Sequence, residues 1–520
     1  MSSISVPEFY KNRCIFITGG TGFLGKALLE KLLRSCPEVR CIYVMIRPKR
    51  GKDIHERLEA LLDTSLFDKV RTEQPGFENK VIAIGGDILD DNLGITEEDQ
   101  QTLVENVSII FHSAATVKFD EELKLSIQMN VLGVRKILKL AHKIKKLEAL
   151  VHVSTAYANC DKEQIAEAVY PPPLQPHKLI NAVEWMDDEV ITTLTPKLTK
   201  PRPNTYTYTK SMAEYLLTEE RGDIPVAIVR PSIVGATWLE PVPGWVDNFN
   251  GPTGLLAAIG KGVLRIMKGD FHGTSDIIPV DIAVKLLIAA AWYTAVERPK
   301  DVKVYNGTTG QINRFTWGEM ERMSHQYFLK NPVNSMARLP NPRFTKNAFW
   351  HDLNVFFDHI IPAYCMDLYL RIAGRKPIFV KVQDRLQKAV KSLDYFTSNQ
   401  WNFANDNFHM LLNKLSPEDR QIFNFDPRMI QWSLYMENYC LGTKKFVLKE
   451  ELSELPAARR ALARLKKITL VFNTILAIVI WRVLVGRVRV ARDLWNLVLR
   501  WTSYILMKLP RAFKSSSASA

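Results

Sequence analysis

The stretch "NTYTYTKSMAE" (204–214) carries two phenols and an ammonium within five residues: Tyr206, Tyr208 and Lys210. A phenol beside a cation can protonate an oxygen that gains negative charge, because the cation lowers the phenol's pKa. Along a helix, residues four apart are neighbours and residues two apart face different ways. Tyr206 is therefore the candidate acid, Lys210 its partner, and Tyr208 points elsewhere. Further upstream, "HVSTAY" (152–157) offers two adjacent hydroxyls, Ser154 and Thr155, and either can hydrogen-bond a substrate oxygen. Lys210 can also hold a nicotinamide ribose.

A second group of residues could hold a dinucleotide. "TGGTGFLG" (18–25) places Gly19, Gly22 and Gly25 between an apolar run and a helical pattern. The first glycine permits a sharp turn, the second lets backbone approach a pyrophosphate at the helix N-terminus, and the third allows close helix packing. Thr18, Thr21, Phe23 and Leu24 complete this turn as candidate contacts. An NAD site usually has an Asp or Glu after the second strand, for the ribose 2′-hydroxyl. This chain has Arg47, followed by Lys49 and Arg50. A guanidinium suits a 2′-phosphate, so NADPH is expected. Asp87 and Ile88 follow the third strand, with Asp87 placed for the adenine ring. Ala114 and Ala115 in "FHSAAT" (111–116), Asn130, and Pro231 and Ile233 in "RPSIVG" (230–235) are the remaining candidate cofactor contacts.

These residues need a scaffold, and the sequence supplies one. "CIFITG" (14–19), "CIYVMIR" (41–47), "KVIAIGGD" (80–87), "VSIIFHSAA" (107–115), "ALVHVSTAY" (149–157), "PVAIVRPS" (225–232) and "VKVYNGTTG" (302–310) read as strands. Residues 22–35 and roughly 121–145 read as helices. Strands alternating with helices imply a doubly wound parallel α/β sheet of the Rossmann kind. Apolar runs without alternation fit strands buried on both faces.

The length, 520 residues, allows two or three domains. The net charge is +14, and much of the basic charge lies near the C-terminus, on either side of an apolar run. That arrangement points to a membrane or anionic surface rather than to nucleic acid. The six cysteines form no C-x-x-C pair and the ten histidines no H-E-x-x-H, which argues against a metal site. The polar N-terminus "MSSISVPEFYKNR" lacks the apolar core of a signal peptide, so a reducing compartment with free thiols is expected.

The glycine turn, "FHSAAT", Asn130, "VSTAY", Y-x-x-x-K and "RPSIVG" occur in the order of the extended short-chain dehydrogenases/reductases. Within these, the chain closely resembles the alcohol-forming fatty acyl-CoA reductases of the peroxisomal animal type. The resemblance rests on "TGFLGKALLEKLLRSCP", "HVSTAYANC", "VYPPP", "EWMDD", "NTYTYTK", "VRPSIVGATW", "PGWVDNFNGPTG", "DIIPVD" and "ENYCLGTKKFVL". It implies a long-chain acyl-CoA substrate, two hydride transfers from NADPH and a primary alcohol product for ether lipid and wax synthesis. It favours Thr155 over Ser154 as the active-site hydroxyl. Relatives often have Ala at Gly20. Two other classes share features: membrane-bound NAD(P)-dependent 3-hydroxysteroid dehydrogenases, against which Arg47 argues, and non-enzymatic NADP sensors, which usually lack the Tyr–Lys pair.

The division expected is a reductase domain with substrate-binding insertions over 1–345, a helical acyl-binding domain over 346–450, and a basic linker, anchor and tail over 451–520. The segment 160–203 reads as a flap over the site or a passive linker. Residues 276–295 read as a helix-rich return to the core. Asp352, Asp358 and Asp367 exclude a membrane span at 348–374. Residues 468–486 give about 28 Å of apolar helix, enough to span, and "LWNLVLRWTSYILMKL" (494–509) is a second, shorter apolar stretch. A span this close to the C-terminus implies a tail anchor placed by insertion machinery, with the catalytic body in the cytosol. The basic tail resembles peroxisomal or mitochondrial tail anchors more than those of the endoplasmic reticulum, and the family resemblance implies the peroxisomal membrane; a homo-oligomer is compatible with the sequence.

Overall fold

The computed structural model describes residues 4–48 and 51–514. Seven strands form one parallel sheet: β1 (Cys14–Thr18), β2 (Cys41–Ile46), β3 (Val81–Gly85), β4 (Val107–His112), β5 (Ala149–Val153), β6 (Val226–Pro231) and β7 (Lys303–Gly307). Their order is β7-β6-β5-β4-β1-β2-β3. Alternate residues of β1 serve the two faces. Ile15 and Ile17 join one apolar cluster, whereas Cys14 and Phe16 join the other. Helices on both sides bury nearly every residue of the central strands, which is why these segments read as unbroken apolar runs. The order reverses between β1 and β4, so the crevice at their carboxyl ends is where a ligand binds in such sheets.

The expected strands overshoot by one to four residues at their C-terminal ends, because the chain leaves the sheet there to build loops at the crevice. The helix α1 (Phe23–Ser35) follows the glycine turn. The predicted helix over 121–145 is interrupted by a π-helical turn at Gln128–Leu132, which holds Asn130. The Tyr–Lys segment opens α2 (Thr205–Glu220), where the Asn204 side chain caps the helix by accepting from the Thr207 N–H at 2.9 Å. Residues 276–295 divide into a short strand, Ile277–Pro279, paired with Ile233–Gly235, and α3 (Val280–Glu297), which packs against α1.

The segment after Thr155 is a packed element. Its helices, Pro176–Trp185 and Asp188–Leu198, bury Leu179, Ile180, Val183 and Ile191 in the cluster that also holds Tyr208. Residues 348–454 are mostly helical and belong to the same compact unit as the sheet. The "ENYC" stretch enters the core directly: Tyr439 and Thr253 share a hydroxyl hydrogen bond of 2.8 Å, and a Cβ at Gly442 would collide with the Gly244 carbonyl. All six cysteines are unbridged.

A second unit begins at Leu455. It consists of α4 (Leu455–Arg487) and α5 (Arg489–Lys514), joined at Val488, with Trp481 and Trp495 in edge contact at 5.2 Å. Among the described residues, α4 is the one helix long and apolar enough to cross a membrane.

Candidate active site

Three loops meet at the crevice, and the glycine turn is the tightest. Gly19 has φ +72°, and a Cβ there would sit 2.7 Å from the Ala114 nitrogen. A Cβ on Gly25 would meet the Gly19 carbonyl oxygen at 2.2 Å, so α1 can approach β1 this closely only without a side chain. Gly22 caps α1 with no side-chain acceptor, leaving the first-turn N–H groups available to an anion. Thr21, Gly22, Phe23 and Leu24 keep partial or full exposure on this turn, and Phe23 stacks on Trp245 at 5.3 Å.

Three other predicted contacts serve the loops from inside. The Thr18 hydroxyl lies 2.7 Å from His112 Nδ1 and accepts from the Ala114 N–H at 3.4 Å. Asn130 accepts from the Thr116 N–H at 3.0 Å and donates to the Thr116 carbonyl at 3.2 Å and Thr209 Oγ1 at 3.0 Å, tying the 113–116 loop to α2. Ile88 is buried against Gly133. At the tips of β2 and β3, Arg47 Nε meets an Asp87 carboxylate oxygen at 2.9 Å, while 53% of the Arg47 side chain stays exposed. Lys49 and Arg50 lie outside the described residues. Pro231 ends β6, and Ile233 begins the short parallel pair beside it.

The reacting groups gather at the end of β5. Lys210 is buried on α2 and its Nζ donates to the Val153 carbonyl at 2.7 Å. Burial lowers this ammonium to about 8, with the Glu214 carboxylate pulling upward. Tyr206 keeps partial exposure one turn earlier, and Tyr208 is fully buried in the opposite cluster with its hydroxyl unpartnered. Thr155 Oγ1 accepts from the Tyr157 N–H at 3.3 Å, which leaves its O–H free to donate. Burial pushes the Tyr206 phenol up to about 12, and a hydrogen bond with Thr155 pulls it the other way. The expected lowering of the phenol by Lys210 is not seen: the ammonium is drawn to the Val153 carbonyl, and Thr155 supplies the opposing pull. The Ser154 hydroxyl is buried and unpartnered.

Sequence reasoning missed three features. The first is a neutral histidine pair beneath the site. His112 and His152 are register partners on β4 and β5, with rings 5.4 Å apart. Burial, reinforced by the Lys210 charge, holds His112 down at about 3 and His152 well below its usual value. Two histidines at or next to the ends of apolar strands were the available signal. The second is an aromatic wall. Phe119 lies 5.9 Å from the Tyr206 ring and 5.2 Å from Phe396, and Tyr157 packs edge-on against Phe396, Trp401 and Phe403.

The third is a polar clamp at the ends of β6 and β7. Arg230 forms a fully buried ion pair with Glu214 at 2.6 Å and donates to the Ala166 and Ala168 carbonyls at 3.1 and 2.8 Å. Glu167 accepts from the N–H groups of Asn306, Asn407 and Phe408. Strand residues 402–403 pair with 164–165. The clamp fixes the helical region against the site.

A seven-stranded parallel sheet, a glycine turn capping a helix and a Tyr–Thr–Lys group at the neighbouring crevice define an NAD(P)-binding oxidoreductase of the short-chain dehydrogenase/reductase type. A family model described as "Male sterility protein", of the NAD-binding kind, matches residues 17–287, and a second with that description matches 358–450. Fatty acyl-CoA reductase 1 of Xenopus laevis is 51% identical over 496 residues, 95% of this chain and 96% of that one. Fatty acyl-CoA reductase 1 of Homo sapiens is 49% identical over 496 residues, with the same shares. The chain belongs to the fatty acyl-CoA reductase family. Among solved structures, the reductase domain of a nonribosomal peptide synthetase from Mycobacterium tuberculosis has the same fold, with TM-score 0.56 at 19% identity over 86% of this chain and 94% of that one.

Proposed function

We propose that this protein reduces long-chain fatty acyl-CoA to the primary alcohol, releasing CoA and consuming two NADPH. The observation that carries this reading is the grouping of Tyr206, Thr155 and Lys210 at the end of β5, in a chain of this family. NADPH, when bound, supplies a hydride to the substrate carbonyl in each of two reductions. In both, negative charge develops on the same oxygen. Thr155 donates a hydrogen bond to it, and Tyr206 donates a second bond and finally the proton. Lys210 holds the nicotinamide ribose, and the Thr155 hydroxyl, bonded to the phenol, offsets part of the cost of ionising it. Between the reductions the hemithioacetal hydroxyl returns its proton to Tyr206 as the C–S bond breaks, which expels the CoA thiolate and leaves an aldehyde and a protonated Tyr206 for the second one.

The cradle at Gly19 and Gly22 suits a pyrophosphate, and Arg47 suits a 2′-phosphate: Asp87 orients it through Nε while over half the side chain remains exposed. Residues 1–345 then carry cofactor and reacting groups, and 346–450 the acyl side. Residues 451–520 anchor the protein in the peroxisomal membrane, with the body in the cytosol. Purified protein, NADPH and a panel of acyl-CoAs with product identification test the reading. Fatty alcohol from long-chain acyl-CoA supports it, and the absence of acyl-CoA-dependent NADPH oxidation overturns it.

A further inference from the structure

Residues 348–372 and helix Phe379–Ser398 form a hairpin that turns several polar side chains inward. His359 is 1% exposed, and its ring bonds the Gln383 amide at 2.7 Å and the Arg265 N–H at 3.3 Å. Asp367 is 6% exposed, and its carboxylate accepts from the N–H groups of Ile378, Phe379 and Val380 at 2.8–3.0 Å, closing the hairpin. The outer side of Ile361–Ile372 carries large apolar side chains. Ile372 is 79% exposed, Tyr369 64%, Tyr364 61% and Leu368 59%. A patch of this kind on a soluble unit marks an interaction surface.

Charge identifies the occupant. Within 361–385 the exposed charged residues are Arg371, Arg375, Lys376, Lys381 and Arg385, against Asp384 alone. A second copy of this chain docking by two-fold symmetry would set these cations against themselves. An anionic lipid surface complements them, and exposed aliphatic and aromatic side chains beside cations are what an interfacial bilayer contact requires. The tip between the two helices, "RIAGRKPI" (371–378), displays both kinds of residue together.

We propose that the outer face of this hairpin, with Ile372 and Ile378 at its tip, docks the catalytic unit on an anionic bilayer interface, separately from the C-terminal helix. The proposal rests on the anchor reading only in that an anchor would keep a bilayer within reach. It has a consequence for the acyl chain. Helix Phe379–Ser398 has 20 residues, a length of about 30 Å. One end is the docked tip and the other carries Phe396, in the aromatic wall beside Tyr206. An apolar substrate or product would then pass between lipid and site along a surface already removed from water.

Cys365 lies on this face and is exposed, whereas the other five cysteines are buried, so the native protein can be labelled there. The full chain is labelled with a polarity-sensitive fluorophore and reconstituted into phosphatidylcholine–phosphatidylserine vesicles, with and without brominated acyl chains. The expected result is a blue-shifted emission quenched by the brominated lipid. Both are lost in the Ile372→Asp/Ile378→Asp variant, while NADPH binding is retained. Replacing Arg371, Arg375 and Lys376 by Gln should lower the docked-to-free ratio roughly a hundredfold. Alkaline carbonate extraction of the same vesicles reads the anchor independently. Carbonate-resistant protein with an unquenched, water-like probe overturns the docking proposal and leaves the anchor standing. A quenched probe on carbonate-extractable protein upholds docking and overturns the anchor. Blue-shifted emission that brominated lipid does not quench and that vanishes on dilution assigns the face to a second copy and overturns the proposal.

Discussion

Exchanging each of the two tyrosines for phenylalanine separates chemistry from packing within one helix turn. Tyr206→Phe removes the proton donor and one of two hydroxyls aimed at the developing oxyanion. Loss of a positioned acid alone lowers the rate by about 10²–10⁴-fold. The ring is kept, so its contact with Phe119 persists, and NADPH affinity should stay within about twofold of wild type. Tyr208→Phe removes a fully buried hydroxyl with no hydrogen-bond partner. Burying such a group unsatisfied costs about 1–3 kcal/mol, so its deletion should leave kcat unchanged and raise stability by about 1 kcal/mol. Both variants are measured by acyl-CoA-dependent NADPH oxidation, NADPH fluorescence titration and chemical denaturation. An inactive Tyr208→Phe beside an active Tyr206→Phe would refute the assignment of the acid and the helical-face reasoning behind it.

Arg47→Ala should raise the KM for NADPH about thirtyfold, from loss of a charge-assisted phosphate contact worth about 2 kcal/mol, and barely change that for NADH; an equal effect on both would remove the 2′-phosphate role. Arg230→Met leaves the Glu214 carboxylate buried without its partner and should destabilise the fold by about 3–5 kcal/mol, with the Glu214→Leu/Arg230→Met pair recovering much of the loss in denaturation. Asp at both Leu476 and Ile478 should make the protein carbonate-extractable, at about 2.5–3.5 kcal/mol per charge near a helix centre; unchanged membrane retention would show that α4 does not span.

The reductase scaffold was legible because its signals are local. Strand runs, the glycine turn and the four-residue spacing of Tyr206 and Lys210 each lie within a few residues of chain. Strand ends were read too long because apolar loop residues at the crevice, such as Ala114 and Ala115, continue the pattern of the strand before them. The groups that complete the site were not legible, because they join distant segments. Phe119 meets Phe396, Glu167 meets Asn407, and Arg230 reaches back to Ala166 and Ala168. No spacing rule connects such residues. The influence of Lys210 on the phenol was overestimated for a related reason: the Val153 carbonyl that holds the ammonium lies on β5, 57 residues away.

The central claim is that one site carries out two successive reductions on an acyl-CoA. The most direct measurement is the ratio of NADPH oxidised to fatty alcohol formed, with free CoA and aldehyde quantified in the same reaction of the purified full-length protein. Two NADPH and one CoA per alcohol are expected, with Tyr206→Phe slowing both steps together by about 10²–10⁴-fold. One NADPH per CoA with accumulating aldehyde, or an acyl-CoA-independent oxidation, would contradict it.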